Sequence, residues 1–277
     1  MNTLKILTEK LPESIRQFFK NEIASSKISK YRSKDITKLY KEVHENAEVI
    51  FILSPGRSGT KYLTKVLENY KELVVKHTGT PELSHFGQFA FENQDNLNQI
   101  KLVVDACRYE QIRDAYIQGK VYVETNNKIT FFSKALLELY PKAKFVSLKR
   151  DPIKFVESGY SRDWYMNQNI RDEGRIEASD KDQWNSLSQL EKIAFQWKAT
   201  HEFIQDFFSK IDASKYLAVK STDLFKNEEM QVKVLKFILG QDAPIKRITQ
   251  RKTNAQKKKK VLTTEQIATI TNFLAKP

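Results

Sequence analysis

The sequence predicts a three-layer α/β fold, with a parallel sheet flanked by helices, from three observations. Short apolar runs alternate with segments of helical spacing, a pattern typical of parallel strands joined by helices. The run VIFIL at 49–53 is apolar on both faces, as a central parallel strand requires. The chain has 277 residues, which is enough for one large domain with a substantial core.

The predicted elements begin with an N-terminal helical extension, residues 1–46, before a main domain at 47–277. Apolar residues at helical spacing mark the extension: Leu4, Ile6, Leu7, Leu11, Ile15, Phe18 and Phe19. Apolar runs predict strands at 49–53, 73–76, 102–106, 121–124, 144–148 and 216–219. Helical spacing predicts helices after Thr60 and at 108–118, 131–140, 187–208, 228–239 and 264–274. We expect an aromatic-rich loop at 86–91 and a long polar loop at 162–185, and long loops of this kind often form binding surfaces.

The first predicted strand runs directly into a turn and a helix. Pro55 and Gly56 turn the backbone, and the sequence restarts at helical spacing after Thr60. Free N–H groups at such a helix start favour an anion, and Arg57 adds a fixed charge. The segment Gly56, Arg57, Ser58, Gly59, Thr60 and Lys61 is therefore a predicted phosphate-binding loop.

This loop differs from the ATP- and GTP-binding pattern GxxxxGK[ST]. Only two residues separate Gly56 from Gly59, and the cation Arg57 precedes the second glycine. Lys61 comes after Thr60, one place too late for the lysine of that pattern. A nucleotide kinase remains an alternative, and so does a non-enzymatic polyanion-binding protein.

A second segment, at 149–158, also follows an apolar strand. Asp151 is a good N-cap and Pro152 suits the first turn of a helix. Arg150 at the strand end and Ser158 on that helix are therefore able to meet at a second phosphate.

Together the two segments resemble the sulfotransferase family that uses 3'-phosphoadenosine 5'-phosphosulfate (PAPS) as its sulfuryl donor. GRSGT at Gly56 to Thr60 is similar to the family's 5'-phosphosulfate loop, PRSGT or PKSGT. RDP at Arg150 with Ser158 is similar to its 3'-phosphate site. The resemblance implies a P-loop-type fold and sulfuryl transfer to a hydroxyl or amine of a small-molecule or glycan acceptor. It implies no metal.

Other positions implied by the resemblance are less well matched. The basic run near the C-terminus resembles the segment that covers the 3'-phosphate in cytosolic members, with Arg251 and Lys252 as candidates, although Thr253 stands where the family has glycine. The segment at 220–224 resembles a later family element, YEDL. Arg57 would stabilise charge on the transferring group.

The catalytic base has several candidates. His77 stands where related subfamilies place a glutamate, and its near-neutral pKa suits a base. Glu82 and His85 are further candidates. Cytosolic members instead place their catalytic residues before the 3'-phosphate arginine, where this chain has Glu124 as a possible base and Lys128 as a possible aid to the leaving phosphate.

Composition agrees with a globular, anion-binding protein. The net charge is +13, from 47 basic and 34 acidic residues, which favours anionic ligands. PAPS would account for part of this charge, and acidic polysaccharides, membranes and nucleic acid are also compatible with it, although the resemblance leads us to expect no nucleic-acid partner. The lone cysteine, Cys107, excludes an intramolecular disulfide and favours a reducing compartment. No apolar stretch reaches the roughly 20 residues that span a bilayer, so we expect a cytoplasmic enzyme.

Overall fold

The computed structural model describes residues 35–83, 85–166, 172, 174–240 and 260–276. The predicted α/β class is confirmed, because these residues contain one five-stranded parallel sheet flanked by helices. The strands are β1 (Val49–Leu53), β2 (Leu73–Lys76), β3 (Val121–Glu124), β4 (Lys144–Lys149) and β5 (Tyr216–Lys220). Their order in the sheet is β2, β3, β1, β4, β5, so β1 is central.

The helices connect successive strands and cover both faces of the sheet. They are α1 (Ile36–Asn46), α2 (Thr60–Leu67), α3 (Phe86–Glu92), α4 (Leu97–Ile117), α5 (Ser133–Leu139), α6 (Pro152–Tyr160), α7 (Lys181–Ser186), α8 (Gln189–Ser209), α9 (Ser221–Lys226), α10 (Glu228–Leu239) and α11 (Thr264–Ala275). A 3-10 turn at Asn127–Phe132 precedes α5. Among the residues described, no helix is long and apolar enough to cross a membrane.

The central strand shows why both of its faces are apolar. Phe51 and Leu53 belong to a core shared with α4, α5 and the end of α8, whereas Ile50 and Ile52 belong to a second core shared with α2 and α10. Successive side chains of a strand point to opposite faces, so β1 supplies both layers. All five of its residues are buried.

One predicted strand, at 102–106, is wrong. Those residues lie inside α4, whose buried positions recur at helical spacing: Ile100, Val104, Arg108, Ile112 and Ala115. The β-branched pair Val103 and Val104 resembles a strand locally, but burial of one helical face outweighs that weak preference. Cys107 is consequently a helical residue.

The predicted loop at 86–91 is also wrong, since it forms α3. Two of its aromatic side chains turn inward: Phe91 packs against Phe131 and Phe195, and Phe89 joins the same core. Within the predicted loop at 162–185, α7 forms a short helix. The domain boundary at 46 stays a prediction, with residues 1–34 outside those described.

Helix α1 is fastened to α4 through a histidine. His44 Nε2 lies 2.9 Å from Asp105 Oδ1, and His44 Nδ1 lies 2.8 Å from the carbonyl oxygen of Tyr40. The Tyr40 hydroxyl donates to Asp105 Oδ2 at 2.6 Å. Burial lowers the pKa of His44, but the hydrogen bonds to Asp105 and to the Tyr40 carbonyl outweigh it, so the pKa is raised.

Candidate active site

The carboxyl ends of four strands open at one edge of the sheet. Because the strands are parallel, the residues that follow them are neighbours: Ser54 follows β1, His77 follows β2, Thr125 follows β3 and Arg150 follows β4. Ligands of open parallel sheets bind at this edge. The predicted base and phosphate residues that the structure describes lie on segments that leave this edge, except Glu124, which is the last residue of β3.

The loop after β1 is tightly wound. Gly56, Arg57 and Gly59 all have positive φ, of 92°, 56° and 96°, a region that favours glycine and makes Arg57 strained. The Gly56 N–H donates to Ser54 Oγ at 3.2 Å, and Ser58 Oγ donates to the Gly56 carbonyl at 3.0 Å. The loop therefore ends with α2 starting at Thr60, and the first N–H groups of that helix face the sheet edge.

The 3-10 turn at Asn127–Phe132 is hydrogen-bonded to this loop. The Ser54 N–H donates to Thr130 Oγ1 at 3.1 Å, and Thr130 Oγ1 lies equally close to the Ser54 carbonyl. A Cβ on Gly56 would lie only 3.3 Å from the Asn127 side chain. The 3-10 turn that carries Lys128 is thus in contact with the loop.

The second predicted phosphate segment meets the first. Asp151 Oδ1 accepts the Lys154 N–H at 2.9 Å and caps α6, with Pro152 in its first turn. Arg150 Nη1 donates to the Arg57 carbonyl at 2.5 Å, and Arg57 Nε lies 3.4 Å from Ser158 Oγ. These two contacts join residues that are separated by 93 and 101 positions in the chain.

The pKa values of both arginines are lowered in the folded protein. Burial lowers the pKa of Arg57. Burial also lowers the pKa of Arg150, and the positive charge of Arg57 adds to that effect. Two partly buried cations held side by side favour an anion between or beside them.

His77 is oriented by two threonines. Its Nδ1 lies 2.9 Å from Thr125 Oγ1 and 3.4 Å from Thr64 Oγ1. Burial lowers the pKa of His77, and the charge of Lys61 lowers it further. The ring is therefore neutral at pH 7, as a general base must be.

The other base candidates differ from His77 in their surroundings. Glu82 and His85 are exposed on the segment between β2 and α3. Glu124 is fully buried, and both its oxygens accept from Arg108, at 2.7 and 2.9 Å. Because both oxygens are paired with a cation inside the core, this carboxylate has a structural role, and Glu124 does not fit the role of base.

A narrow cavity adjoins the phosphate loop. Its walls come from the loop after β1, α3, the 3-10 turn, the segment before α7 and α8, and include Ser54, Pro55, Lys128, Gly174, Arg175 and Gln196. Lys128 therefore shares a cavity with the loop. Trp164 and Trp184 belong to the predicted binding loop at 162–185, but they are only 5% and 4% exposed and pack inside the protein.

Gln196 connects the segment before α7 to the phosphate loop. The sequence did not predict this contact. Gln196 Nε2 donates to the Pro55 carbonyl at 3.2 Å, and its Oε1 accepts from the Tyr165 hydroxyl at 3.1 Å and from Arg175 Nη1 at 3.3 Å. The Arg175 guanidinium stacks on Trp164 with 3.6 Å to the ring centre. No sequence signal distinguishes Gln196 from other polar residues of α8.

The C-terminal basic candidates Arg251 and Lys252 lie outside the described residues. The chain is described again from Lys260, whose N–H donates to Ser161 Oγ at 2.9 Å. Lys260 Nζ also pairs with Asp163 at 2.5 Å. The end of the basic run is thus attached just beyond α6, the helix that carries Ser158.

Comparison with known proteins identifies the family. A family model described as a sulfotransferase domain matches residues 49–233. This chain belongs to the sulfotransferase family. The match spans β1 to α10 and therefore includes both phosphate segments of this sulfotransferase. No curated protein matches the chain significantly.

Solved structures with a similar fold are also sulfotransferases. The enzyme from Alicyclobacillus acidocaldarius aligns over 83% of this sulfotransferase and 92% of its own chain, with a TM-score of 0.52 and 14% identity. A sulfotransferase domain from the curacin biosynthetic pathway aligns over 73% and 76%, with a TM-score of 0.49 and 15% identity. At such identity the first likeness shows the fold alone.

Proposed function

We propose that this sulfotransferase transfers the sulfuryl group of PAPS to a hydroxyl or amine of a small-molecule or glycan acceptor. The carrying observation is the contact between its two phosphate segments, where Arg150 reaches the Arg57 carbonyl and Arg57 reaches Ser158. PAPS has a 5'-phosphosulfate and a 3'-phosphate on the same ribose. A protein that binds both needs two anion sites close together, and the contact between these two segments supports that arrangement.

The residues of the loop fit the donor. Glycine at positions 56 and 59 allows the positive φ of this loop, and a Cβ at either position would crowd a neighbour. The Asn126 side-chain nitrogen is buried at the same sheet edge and has no hydrogen-bond partner among the described residues. A buried donor of this kind requires an acceptor, which a phosphate or sulfate oxygen would provide.

Bound PAPS would supply an activated sulfuryl group, whose bond to the 5'-phosphate oxygen breaks as the acceptor attacks sulfur. Arg57 and the N–H groups that open α2 would stabilise charge on the transferring group and the leaving phosphate. Lys128, beside the loop, would assist the same charge. The transfer also needs a base for the acceptor proton.

His77 is the proposed base, with Glu82 as the next candidate. In the tautomer that donates from Nδ1 to Thr125 Oγ1, His77 Nε2 keeps its lone pair and can take a proton. Thr125 would then fix the ring in position, and the lowered pKa would keep it neutral.

Calorimetric titration with adenosine 3',5'-bisphosphate, the desulfated donor, tests the proposal. Removal of a charge-assisted hydrogen bond costs about 1.5–3 kcal/mol, so we expect Arg150→Ala to weaken binding about 10- to 100-fold. Ser158→Ala should weaken it by a smaller factor. Undetectable binding by the unmodified protein would refute the proposal.

Arg113→Ala is the matched control. It also removes one positive charge, but Arg113 pairs with Asp114 near the end of α4. Helix α4 leads directly into the start of β3, so this residue lies at the opposite edge of the sheet. Its substitution should leave nucleotide affinity unchanged, and an equal loss in both variants would mean that net charge alone attracts the nucleotide.

A further inference from the structure

Arg162 lies close to the second phosphate segment. It follows Ser158 by one helical turn, just beyond the end of α6, and is half-buried. Its Nη1 donates to the Ser158 carbonyl at 2.6 Å and lies 2.8 Å from Ser158 Oγ. The first contact caps the end of a helix, which is a common role for arginine. The second contact has a different consequence.

The Ser158 hydroxyl accepts from two guanidinium groups. Arg57 Nε approaches its oxygen at 3.4 Å and Arg162 Nη1 at 2.8 Å. A hydroxyl has two lone pairs and one proton, so both acceptor positions are used and only the O–H remains. Among the described residues, no hydrogen bond from this O–H is found, and it is therefore set to donate to an incoming acceptor.

The surrounding charge specifies what that acceptor is. Arg57 and Arg162 both contact the Ser158 hydroxyl, and Arg150 contacts the Arg57 carbonyl, so three cations are linked through two residues. A phosphate monoester carries nearly two negative charges at neutral pH. Arg57 belongs to the loop proposed for the phosphosulfate, which leaves Arg150 and Arg162 to balance the charge of a second phosphate.

Lys260, at the end of the basic run, contacts the two residues on either side of Arg162. Ser161 accepts the Lys260 N–H, and Asp163 pairs with the Lys260 side chain. The charge of Lys260 is therefore paired with that of Asp163. Arg162 lies between these two anchors in sequence and points its Nη1 back towards Ser158.

We propose that Arg162 is a second cation of the 3'-phosphate site and binds this phosphate together with Arg150 and the Ser158 hydroxyl. The inference rests on the proposed function. It assigns to Arg162 a direct part in selecting nucleotides that carry a 3'-phosphate, in addition to its helix-capping contact.

The test compares two nucleotides that differ only in the 3'-phosphate, PAPS and adenosine 5'-phosphosulfate. In Arg162→Gln, affinity for PAPS should fall about 10-fold or more, because a charge-assisted bond is lost, while affinity for adenosine 5'-phosphosulfate stays within about 2-fold. Arg162→Lys should recover part of the difference. Arg113→Gln controls for net charge, and thermal unfolding checks that each variant is folded.

Each outcome has a separate meaning. If the unmodified protein binds both nucleotides equally or neither, the proposed function fails. If it prefers PAPS and Arg162→Gln keeps that preference in full, the role of Arg162 is overturned while the proposed function stands. A purely structural Arg162 would weaken both nucleotides alike, which also overturns the inference.

Phosphorus NMR of bound adenosine 3',5'-bisphosphate gives a second readout that does not require the weaker nucleotide. The 3'-phosphate resonance should move in Arg162→Gln, whereas the 5'-phosphate resonance should stay near its original position. Equal movement of both resonances, or movement of neither, contradicts a direct contact.

Discussion

Replacement of Gly59 by alanine probes how tightly the phosphate loop is built. Gly59 has φ of 96° and is the N-cap of α2. A Cβ at this position would lie 2.7 Å from Cζ of Phe225, on α9, which is shorter than any normal carbon contact. The substitution therefore meets two separate obstacles, the backbone conformation and the neighbouring ring.

The two costs can be estimated separately. A left-handed conformation costs an ordinary residue roughly 1–2 kcal/mol. Displacement of a packed ring by an added methyl group costs about 1–3 kcal/mol more. Phe225 has little freedom to yield, because it also packs against Tyr62 with 4.9 Å between ring centres. We therefore expect Gly59→Ala to lose about 2–5 kcal/mol of unfolding free energy.

Denaturant unfolding measures this loss, and Gly119→Ala is the matched control. Gly119 has φ of 65°, but a Cβ there would meet nothing within 4 Å, so its replacement carries the backbone cost alone. The double variant Gly59→Ala/Phe225→Leu should lose less than the sum of its single changes. Equal destabilisation by Gly59→Ala and Gly119→Ala would refute the contact with Phe225.

Three further predictions concern buried or titrating groups. Arg108→Leu should cost about 3–5 kcal/mol of unfolding free energy, because it strands the Glu124 carboxylate in the core; a loss near zero in denaturant unfolding would contradict that pairing. The raised pKa of His44 means that its contact with Asp105 stabilises fully below the ordinary value of about 6.5 and is lost as pH rises through the folded value. His44→Gln should therefore be more destabilising at pH 6 than at pH 9, and the opposite order would exclude a charged His44. NMR titration of the His77 ring should give a pKa below about 6.5, since burial and a nearby lysine lower it, and a value above that would remove its neutral state as an explanation for base function.

The sequence predicts most of the sheet because each strand is a short apolar run with a clear boundary. Five of the six predicted strands are present, and β4 and β5 each extend one residue further than expected. The error at 102–106 has a physical cause. The burial repeat from Ile100 to Ala115 is visible only over four turns, whereas the pair Val103 and Val104 dominates a short window.

The site is predictable where its chemistry is carried by local motifs. The loop from Gly56 to Thr60 and the segment from Arg150 to Ser158 each show a strand end, a cap and a cation, and parallel strands bring such ends together. The contact between Arg162 and Ser158 is also visible in the sequence, because residues four positions apart on a helix are neighbours. Gln196 had none, because its contact with Pro55 depends on how α8 docks against the sheet.

The proximity of Arg57 and Arg150 also governs how the protein should be handled in solution. Two partly buried cations, of which Arg57 lowers the pKa of Arg150, also attract small oxyanions from the buffer. Phosphate or sulfate in the medium will therefore compete with nucleotides and will stabilise the folded chain by mass action. Affinities measured in such buffers will understate the strength of the site, whereas a dilute chloride buffer without oxyanions will reveal it.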